Sequence, residues 1–146
     1  MTGRPGRVLG LDLGTKRIGV AVCDDARTIA TPLDTVHRVG DRTVEHRAIA
    51  ELMETNQAVA LVVGMPFGLD GGRGPAAKTI ASEVKALRRR LGVEVWTHDE
   101  RLTTVTAERS LREQGRGGRR GRPLVDQLAA AVILQAWIDA GAPTGA

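Results

Sequence analysis

The segment that most constrains the fold is an apolar run near the N-terminus that contains a single carboxylate, residues 8–14 (VLGLDLG). Side chains of a β-strand alternate between the two faces of a sheet, so Gly10 and Asp12 share one face and the leucines share the other. A buried, unpaired charge is strongly unfavourable, and such carboxylates are normally paired or coordinate a metal. Gly10 is expected to leave space beside Asp12 for a metal ion and a phosphate. Alternatively, Asp12 only pairs with Lys16 or Arg17 in the following turn.

The rest of the chain alternates between strand and helix patterns. The predicted strands cover 7–13, 17–24, 28–36, 58–65 and 93–96, and the predicted helices cover 41–55, 75–91, 103–113 and 123–140. Asp41 is a plausible N-cap, Pro32 suits an edge strand, and Pro123 is expected to open the final helix. The continuous apolar run at 58–65 is typical of a strand buried on both faces of a parallel sheet. This order predicts an RNase H-like α/β fold, with a three-stranded antiparallel start, further parallel strands and flanking helices.

Length and composition narrow the class of protein. The 146 residues predict a single domain, 1–146, with a flexible N-terminus at 1–6 and a flexible tail at 141–146. No apolar run reaches about 18 residues, and the N-terminus lacks a signal-peptide pattern, so we expect a cytoplasmic protein without a membrane partner. The single cysteine, Cys23, excludes an internal disulfide framework and a cysteine-built zinc site.

Basic residues outnumber acidic ones and are mostly arginine. The net charge is +4, and the chain has 18 arginines and 3 lysines. Basic proteins attract polyanions, and the planar guanidinium binds two phosphate oxygens at once. Residues 114–122 are rich in arginine and glycine and predict a mobile loop that binds a nucleic-acid backbone, or else a merely solvated loop. The arginines of this loop are Arg116, Arg119, Arg120 and Arg122.

Two further groups of acidic residues occupy positions that suit catalysis. Asp99 and Glu100 follow the last predicted strand, at the sheet edge where open α/β sheets place their sites. Asp126 lies in the first turns of the final helix, where the helix dipole alone would also favour an acid. Carboxylates that converge from separate elements repel one another, and Mg²⁺ or Mn²⁺ would relieve that repulsion. Two such ions about 4 Å apart would activate water and stabilise the leaving oxygen of a phosphodiester.

The chain resembles the YqgF/RuvX family of RNase H-like nucleases over roughly residues 7–140. The matching segments are 10–21 (GLDLGTKRIGVA), 62–66 (VVGMP) with 70–71 (DG), 99–104 (DERLTT) and 125–130 (VDQLAA). The resemblance implies a metal-dependent nuclease with Asp12, Glu100 and Asp126 as catalytic residues and metal ligands. It also implies a role in 5′-end maturation of precursor 16S rRNA or in the resolution of Holliday junctions.

The resemblance leaves the second acid open. Enzymes of the RuvC type carry that acid on the strand that corresponds to 59–65, where this chain has Val63 and Gly64. Glu100 would therefore have to substitute from the neighbouring strand. Whether Asp99 or Glu100 does so is not decided by the sequence.

Phosphate contacts are expected from Lys16, Arg17 and Arg101, because each flanks an acid of the proposed triad. The substrate would be structured RNA or branched DNA, and the protein a monomer or a homodimer, since a two-fold-symmetric junction requires a dimer. Two other functions would fit parts of the sequence. The Asp-Leu-Gly-Thr segment also resembles the phosphate-binding turn of actin-like ATPases, but 146 residues supply only one of their two domains. A non-catalytic RNA- or ribosome-binding module would carry the same basic charge.

Overall fold

In the described part of the chain, five strands form one mixed sheet. The computed structural model describes residues 6–66, 74–100 and 118–141, and for 118–123 it describes the backbone only. The strands are β1 (Arg7–Leu13), β2 (Arg17–Cys23), β3 (Ala30–His37), β4 (Ala58–Met65) and β5 (Glu94–Asp99); the helices are α1 (Arg42–Asn56), α2 (Pro75–Leu91) and α3 (Gly118–Asp139). The sheet order is β3-β2-β1-β4-β5. β1, β2 and β3 pair antiparallel, and β4 pairs parallel with β1 and β5. The predicted mixed α/β sheet is confirmed.

The alternation along β1 divides the core into two layers. Leu9, Leu11 and Leu13 pack with residues of α1 and α2, on what we term the α1/α2 face. Val8 packs with residues of α3 on the opposite side, the α3 face. Both layers are buried and apolar, which explains why β1 and β4 are almost continuously hydrophobic. Asp12 has the same parity as Val8, so the carboxylate belongs to the α3 face.

Several predicted boundaries are confirmed and others shift for identifiable reasons. The Asp41 carboxylate caps α1 by accepting from the amides of Thr43 and Val44. β3 is an edge strand, as Pro32 indicates, and the register with β2 shifts beside it. This strand begins at Ala30 instead of 28, because the Asp24 carboxylate accepts from Thr28 and Ile29 and holds that stretch as a turn. These hydrogen bonds, chiefly from Thr28, lower the pKa of Asp24 to about 2.

β5 is longer than the predicted 93–96, because parallel pairing with β4 continues as far as Met65 and Asp99. The last helix also differs from its prediction. α3 begins at Gly118, so Pro123 is its sixth residue and 118–122 of the predicted mobile loop are helical. The packed later turns nucleate the helix, so residues 118–122 can extend it even though Pro123 has no N–H to donate to the Arg119 carbonyl.

Four other predictions concern residues that the structure does not describe. They are the helix at 103–113, the 114–117 part of the loop, the 1–5 part of the N-terminus and the 142–146 part of the tail. Among the described helices, none is both long and apolar enough to span a membrane. Cys23 lies on β2 as a buried side chain, and its Sγ accepts from the Val8 amide.

Candidate active site

Asp12 is buried on the α3 face near the carboxyl end of β1. Its side chain is only 5% exposed. Its Cα partner across the antiparallel ladder is Gly19 of β2, which itself contributes no side chain beside the carboxylate. Val8 and Gly10 precede Asp12 on this face, which is otherwise apolar. Burying the charged carboxylate there is unfavourable, as the sequence pattern indicates.

Glu100 reaches the same face from the far end of β5. Glu100 is 4% exposed, and its Oε2 lies 3.0 Å from the point where a Cβ on Gly64 would stand. Gly64 belongs to β4, one residue beyond the last Cα pair between β1 and β4, Leu11 with Val63. The Glu100 carboxylate therefore lies over the strand next to Asp12. The space over Gly64 is taken up by this acid, which follows β5, and by Ile133 of α3, whose Cδ1 lies 2.6 Å from the same point.

The alternation of β5 separates Asp99 from Glu100. Val95 belongs to the core of the α1/α2 face, whereas Trp96 packs against the core of the α3 face. Asp99 lies four residues after Val95 and belongs to the same face as Val95. Glu100 lies four residues after Trp96 and belongs to the face of Trp96. The structure thus places Glu100, and not Asp99, on the face that carries Asp12.

Asp126 approaches from α3, and its position depends on Gly19. A Cβ on Gly19 would stand 1.9 Å from the Asp126 carbonyl oxygen and 3.0 Å from the Asp126 Cβ, so only glycine allows the helix so near the sheet. Since Gly19 is the direct partner of Asp12, all three predicted acids lie at one end of the α3 face. The side chain of Asp126 contacts the first residue of β2, since Arg17 Nε donates to its Oδ2 at 2.7 Å.

The three acids lie near one another, but they do not form a preorganised metal site. Within the described ranges, no three His, Cys, Asp or Glu side chains are arranged to hold a metal ion. The prediction that Gly10 leaves room for a metal and a phosphate is wrong. A Cβ there would stand 2.7 Å from Leu134 Cβ and 2.9 Å from the Ala130 carbonyl oxygen, because α3 packs directly on Gly10.

His98 is a buried histidine on the same face as Glu100. It is 7% exposed, pairs in register with Gly64 and has the parity of Glu100. Burial lowers the pKa of His98, although the nearby Asp99 charge opposes the shift. In the described part of the chain its Nε2 has no hydrogen-bond partner. A buried imidazole therefore lies on the same face as Glu100.

The predicted phosphate-binding residues divide into three groups. Lys16 is exposed on the turn between β1 and β2, beside the carboxyl end of β1. Arg17 is engaged with Asp126 as described above. The third group consists of residues whose side chains the structure does not describe: Arg101, Arg116, Arg119, Arg120 and Arg122.

A buried ion-pair network on the opposite face was not predicted. Arg38 donates to both oxygens of Glu83 at 2.8 and 2.9 Å and to Glu45 at 2.9 Å, and its Nε donates to the Gly14 carbonyl at 3.1 Å. His46 Nε2 also contacts Glu83, at 2.8 Å. Because the Gly14 amide in turn donates to the Asp12 carbonyl, Arg38 fixes the turn that follows Asp12. A usable signal was Glu83 itself, a charge within the apolar stripe of α2.

Ionisation in this network follows from its geometry. Burial of Glu45 and Glu83 opposes their ionisation, but the hydrogen bonds from Arg38 outweigh it and keep the pKa of both carboxyls below the usual value. The pKa of Arg38 is correspondingly raised, despite burial, by the same two partners. Arg38, Glu45 and Glu83 are therefore charged at neutral pH and tie α1 and α2 to the turn beside the acids.

Comparison with known proteins identifies the family. The family model described as "RuvX: Holliday junction resolvase" matches residues 6–140. A protein of Rhodococcus opacus (strain B4) named "Putative pre-16S rRNA nuclease" is 47% identical over 138 residues, which are 92% of this chain and 78% of the relative. A Mycobacterium leprae (strain TN) protein of the same name is 46% identical over 136 residues, 92% of this chain and 73% of the relative.

A solved structure shares the fold. The RuvC of T. thermophilus in complex with a Holliday junction substrate aligns with a TM-score of 0.58 at 18% identity, covering 93% of this chain and 96% of that chain. At that identity the likeness extends to the fold and no further. The buried acids on one face of an RNase H-like sheet, the match of nearly the whole chain and the relatives at up to 47% identity lead to one conclusion. The chain belongs to the RuvX family.

Proposed function

We propose that this protein is a nuclease that hydrolyses phosphodiester bonds of structured RNA during 5′-end processing of precursor 16S rRNA. The relatives named above support the substrate, and one structural observation carries the chemistry. Two buried carboxylates, Asp12 and Glu100, come from different strands to the same end of one face, and glycine at position 64 makes room for the second. Two acids buried at the same end of one face repel each other, and a bound divalent cation would relieve that repulsion.

The residues suit a divalent cation by the chemistry of their donors. Asp12, Glu100 and Asp126 offer carboxylate oxygens, the hard ligands that Mg²⁺ and Mn²⁺ prefer, and we propose that these three side chains hold two such ions. Bound there, the cations supply neutralisation of phosphate charge and activation of water. The protein's own contribution is to hold Asp12 and Glu100 rigidly on the sheet, with solvent largely excluded by α3.

Basic residues around the acids would orient the nucleic-acid backbone. Lys16 is exposed on the turn after Asp12, where it can meet a phosphate that approaches the carboxyl end of β1. The proposed phosphate contacts are Lys16, Arg17, Arg101, Arg116, Arg119, Arg120 and Arg122. The low aromatic content, 2%, argues against base stacking and favours recognition of backbone and shape. We expect the protein to work in the cytoplasm.

The second candidate function is the resolution of Holliday junctions, which the description of the family model favours. Cutting a two-fold-symmetric junction would require a homodimer, whereas trimming of RNA would not. A third possibility, an RNA-binding module without catalysis, predicts binding that is indifferent to the acids.

One experiment separates these functions. A single preparation is assayed with Mg²⁺ and with Mn²⁺ on a precursor 16S rRNA fragment and on a four-way DNA junction, with Asp12→Asn as the matched inactive control. We expect cleavage of the RNA by the wild type alone. Cleavage of the junction in its place would favour the resolvase. Binding without cleavage of either substrate, unaltered in Asp12→Asn, would contradict the proposed nuclease.

A further inference from the structure

The ion pair between Arg17 and Asp126 occupies an acid that the proposed site requires. Arg17 Nε lies 2.7 Å from Asp126 Oδ2, and the two side chains are only 21% and 18% exposed. A charge-assisted hydrogen bond of this length in a partly buried place is among the stronger polar contacts in a protein. It opposes any other use of that carboxylate oxygen.

The backbone around this ion pair has little freedom. α3 lies against Gly19 at Asp126 itself, and the next residue, Gln127, donates to Thr35 of β3 at 2.9 Å. Arg17 is the first residue of β2 and has the parity of Gly19, so it also projects on the α3 face. Asp126 can therefore change partners by rotating its side chain, without movement of the helix.

Arg17 is also the residue best placed to exchange its partner. A guanidinium binds carboxylate and phosphate oxygens with the same planar set of donors, so a backbone phosphate competes directly with Asp126. A phosphate that approaches Lys16 on the adjacent turn would arrive beside Arg17. Binding of nucleic acid and release of Asp126 would then be one event.

We propose that Arg17 is a substrate-operated latch on the metal site. Without nucleic acid, Arg17 holds the Asp126 carboxylate, so Asp126 does not join Asp12 and Glu100 in binding a cation. When a phosphate takes the guanidinium, Asp126 becomes available to join Asp12 and Glu100. The inference rests on the proposed function, since it assumes that these acids bind the cation. By linkage, nucleic acid and metal each tighten the binding of the other.

The test is a titration of Mn²⁺ into the nucleic-acid-free protein, followed by calorimetry and by the Mn²⁺ electron paramagnetic resonance signal. Arg17→Gln is expected to bind Mn²⁺ about tenfold more tightly than the wild type, the change expected when a competing charge-assisted hydrogen bond is removed. Lys16→Gln is the matched control, because it removes the same charge from the neighbouring residue without touching Asp126. If Lys16→Gln and Arg17→Gln tighten binding equally, the effect is general electrostatics and the latch is wrong.

A second arm repeats the titration with a phosphorothioate RNA duplex present. The duplex is expected to tighten Mn²⁺ binding to the wild type more than to Arg17→Gln, in which Asp126 is already released. An equal effect on both proteins would overturn the latch. Thermal unfolding verifies that each variant folds, and Arg17→Lys, which keeps the charge but not the planar donor set, is expected to bind Mn²⁺ with intermediate affinity.

Failure of the latch and failure of the proposed function give different results. If Asp12→Asn and Glu100→Gln bind Mn²⁺ as the wild type does, the metal site itself is wrong. If those two variants lose Mn²⁺ while Arg17→Gln matches the wild type, the metal site stands and the latch is refuted.

Discussion

The carboxylate of Glu100 occupies part of the space that a side chain on Gly64 would need. Its Oε2 stands 3.0 Å from the Cβ that residue 64 lacks, although Glu100 follows β5 and Gly64 lies in β4. An acid can thus act over one strand while its backbone belongs to the next. β4 carries no acid at this position, and the acid that follows β5 reaches over β4 instead.

Replacing Gly64 by alanine tests this arrangement. The new Cβ would stand 2.6 Å from Ile133 Cδ1 and 3.0 Å from Glu100 Oε2, both the ends of movable side chains. We expect Gly64→Ala to fold, with a loss of about 1 kcal/mol in the free energy of unfolding. Cleavage should fall about a hundredfold, since displacing a reacting group by about 1 Å has an effect of that size.

The control is Gly74→Ala, whose Cβ would meet nothing within 4 Å. Cleavage by this variant, measured as initial rate at saturating substrate, should equal that of the wild type. Equal rates for Gly64→Ala and Gly74→Ala would show that the Glu100 carboxylate is not needed beside Gly64.

Gly10→Ala should act on stability instead. Its Cβ would stand 2.9 Å from the Ala130 carbonyl oxygen, a backbone atom that can move only with α3. We expect a loss of about 1–3 kcal/mol in the free energy of unfolding, typical of overpacking. Urea unfolding of Gly10→Ala and Gly74→Ala measures it, and an unchanged midpoint for Gly10→Ala would mean that α3 does not pack as closely as described.

Much of the fold follows from local patterns in the sequence. Asp41 as a cap, Pro32 at an edge and the apolar run of β4 each depend on residues within a few positions, so periodicity and turn chemistry suffice to predict them. β5 ends later and α3 begins earlier than the sequence pattern predicts. Strand length there depends on pairing with β4, and the start of α3 depends on helix propagation past Pro123.

The site was predictable as a set of residues but not as an arrangement. Alternation assigned Asp12 to a face, yet nothing local tells whether a glycine on that face admits a ligand or a helix. At Gly10 it admits α3 alone, and at Gly64 it admits the Ile133 side chain of α3 together with the Glu100 carboxylate. The pairing of Arg17 with Asp126 joins residues 109 positions apart, which no single-sequence pattern encodes.

Arg38 should be a major determinant of stability. Arg38→Met leaves Glu45 and Glu83 buried without their cation, and removal of one partner from a buried pair costs about 3–5 kcal/mol. Arg89→Met on the exposed side of α2 is the matched control and should cost little. Urea unfolding distinguishes the two, and equal losses would refute the role of the network.

The same network predicts the sign of an acid effect. The folded-state pKa of Glu45 and Glu83 lies below the unfolded value, so their contribution to stability is present above about pH 4.3 and is lost as the pH falls through the folded-state values. Glu83→Gln should be less stable at pH 7 but lose less on acidification. A wild-type slope no steeper than that of Glu83→Gln between pH 5 and pH 3 would contradict this assignment.

Salt dependence tests the basic segment. If Arg116, Arg119, Arg120 and Arg122 contact phosphates, changing all four to glutamine should flatten the dependence of log affinity on log salt. Each lost contact reduces the slope by up to about 0.9 on duplex DNA and about 0.7 on single strands. Arg47→Gln with Arg89→Gln, both exposed on the other helices, is the control. An identical slope for the fourfold variant and the wild type would show that the segment does not touch the backbone.

The most direct test of the proposed nuclease site compares two neighbouring acids. Cleavage of a precursor 16S rRNA fragment is measured under single-turnover conditions for Glu100→Gln and Asp99→Asn, each isosteric and each removing one charge. The alternation of β5 predicts that Glu100→Gln loses activity by orders of magnitude, because it shares a face with Asp12, while Asp99→Asn stays close to the wild type. An inactive Asp99→Asn beside an active Glu100→Gln would contradict the site described here.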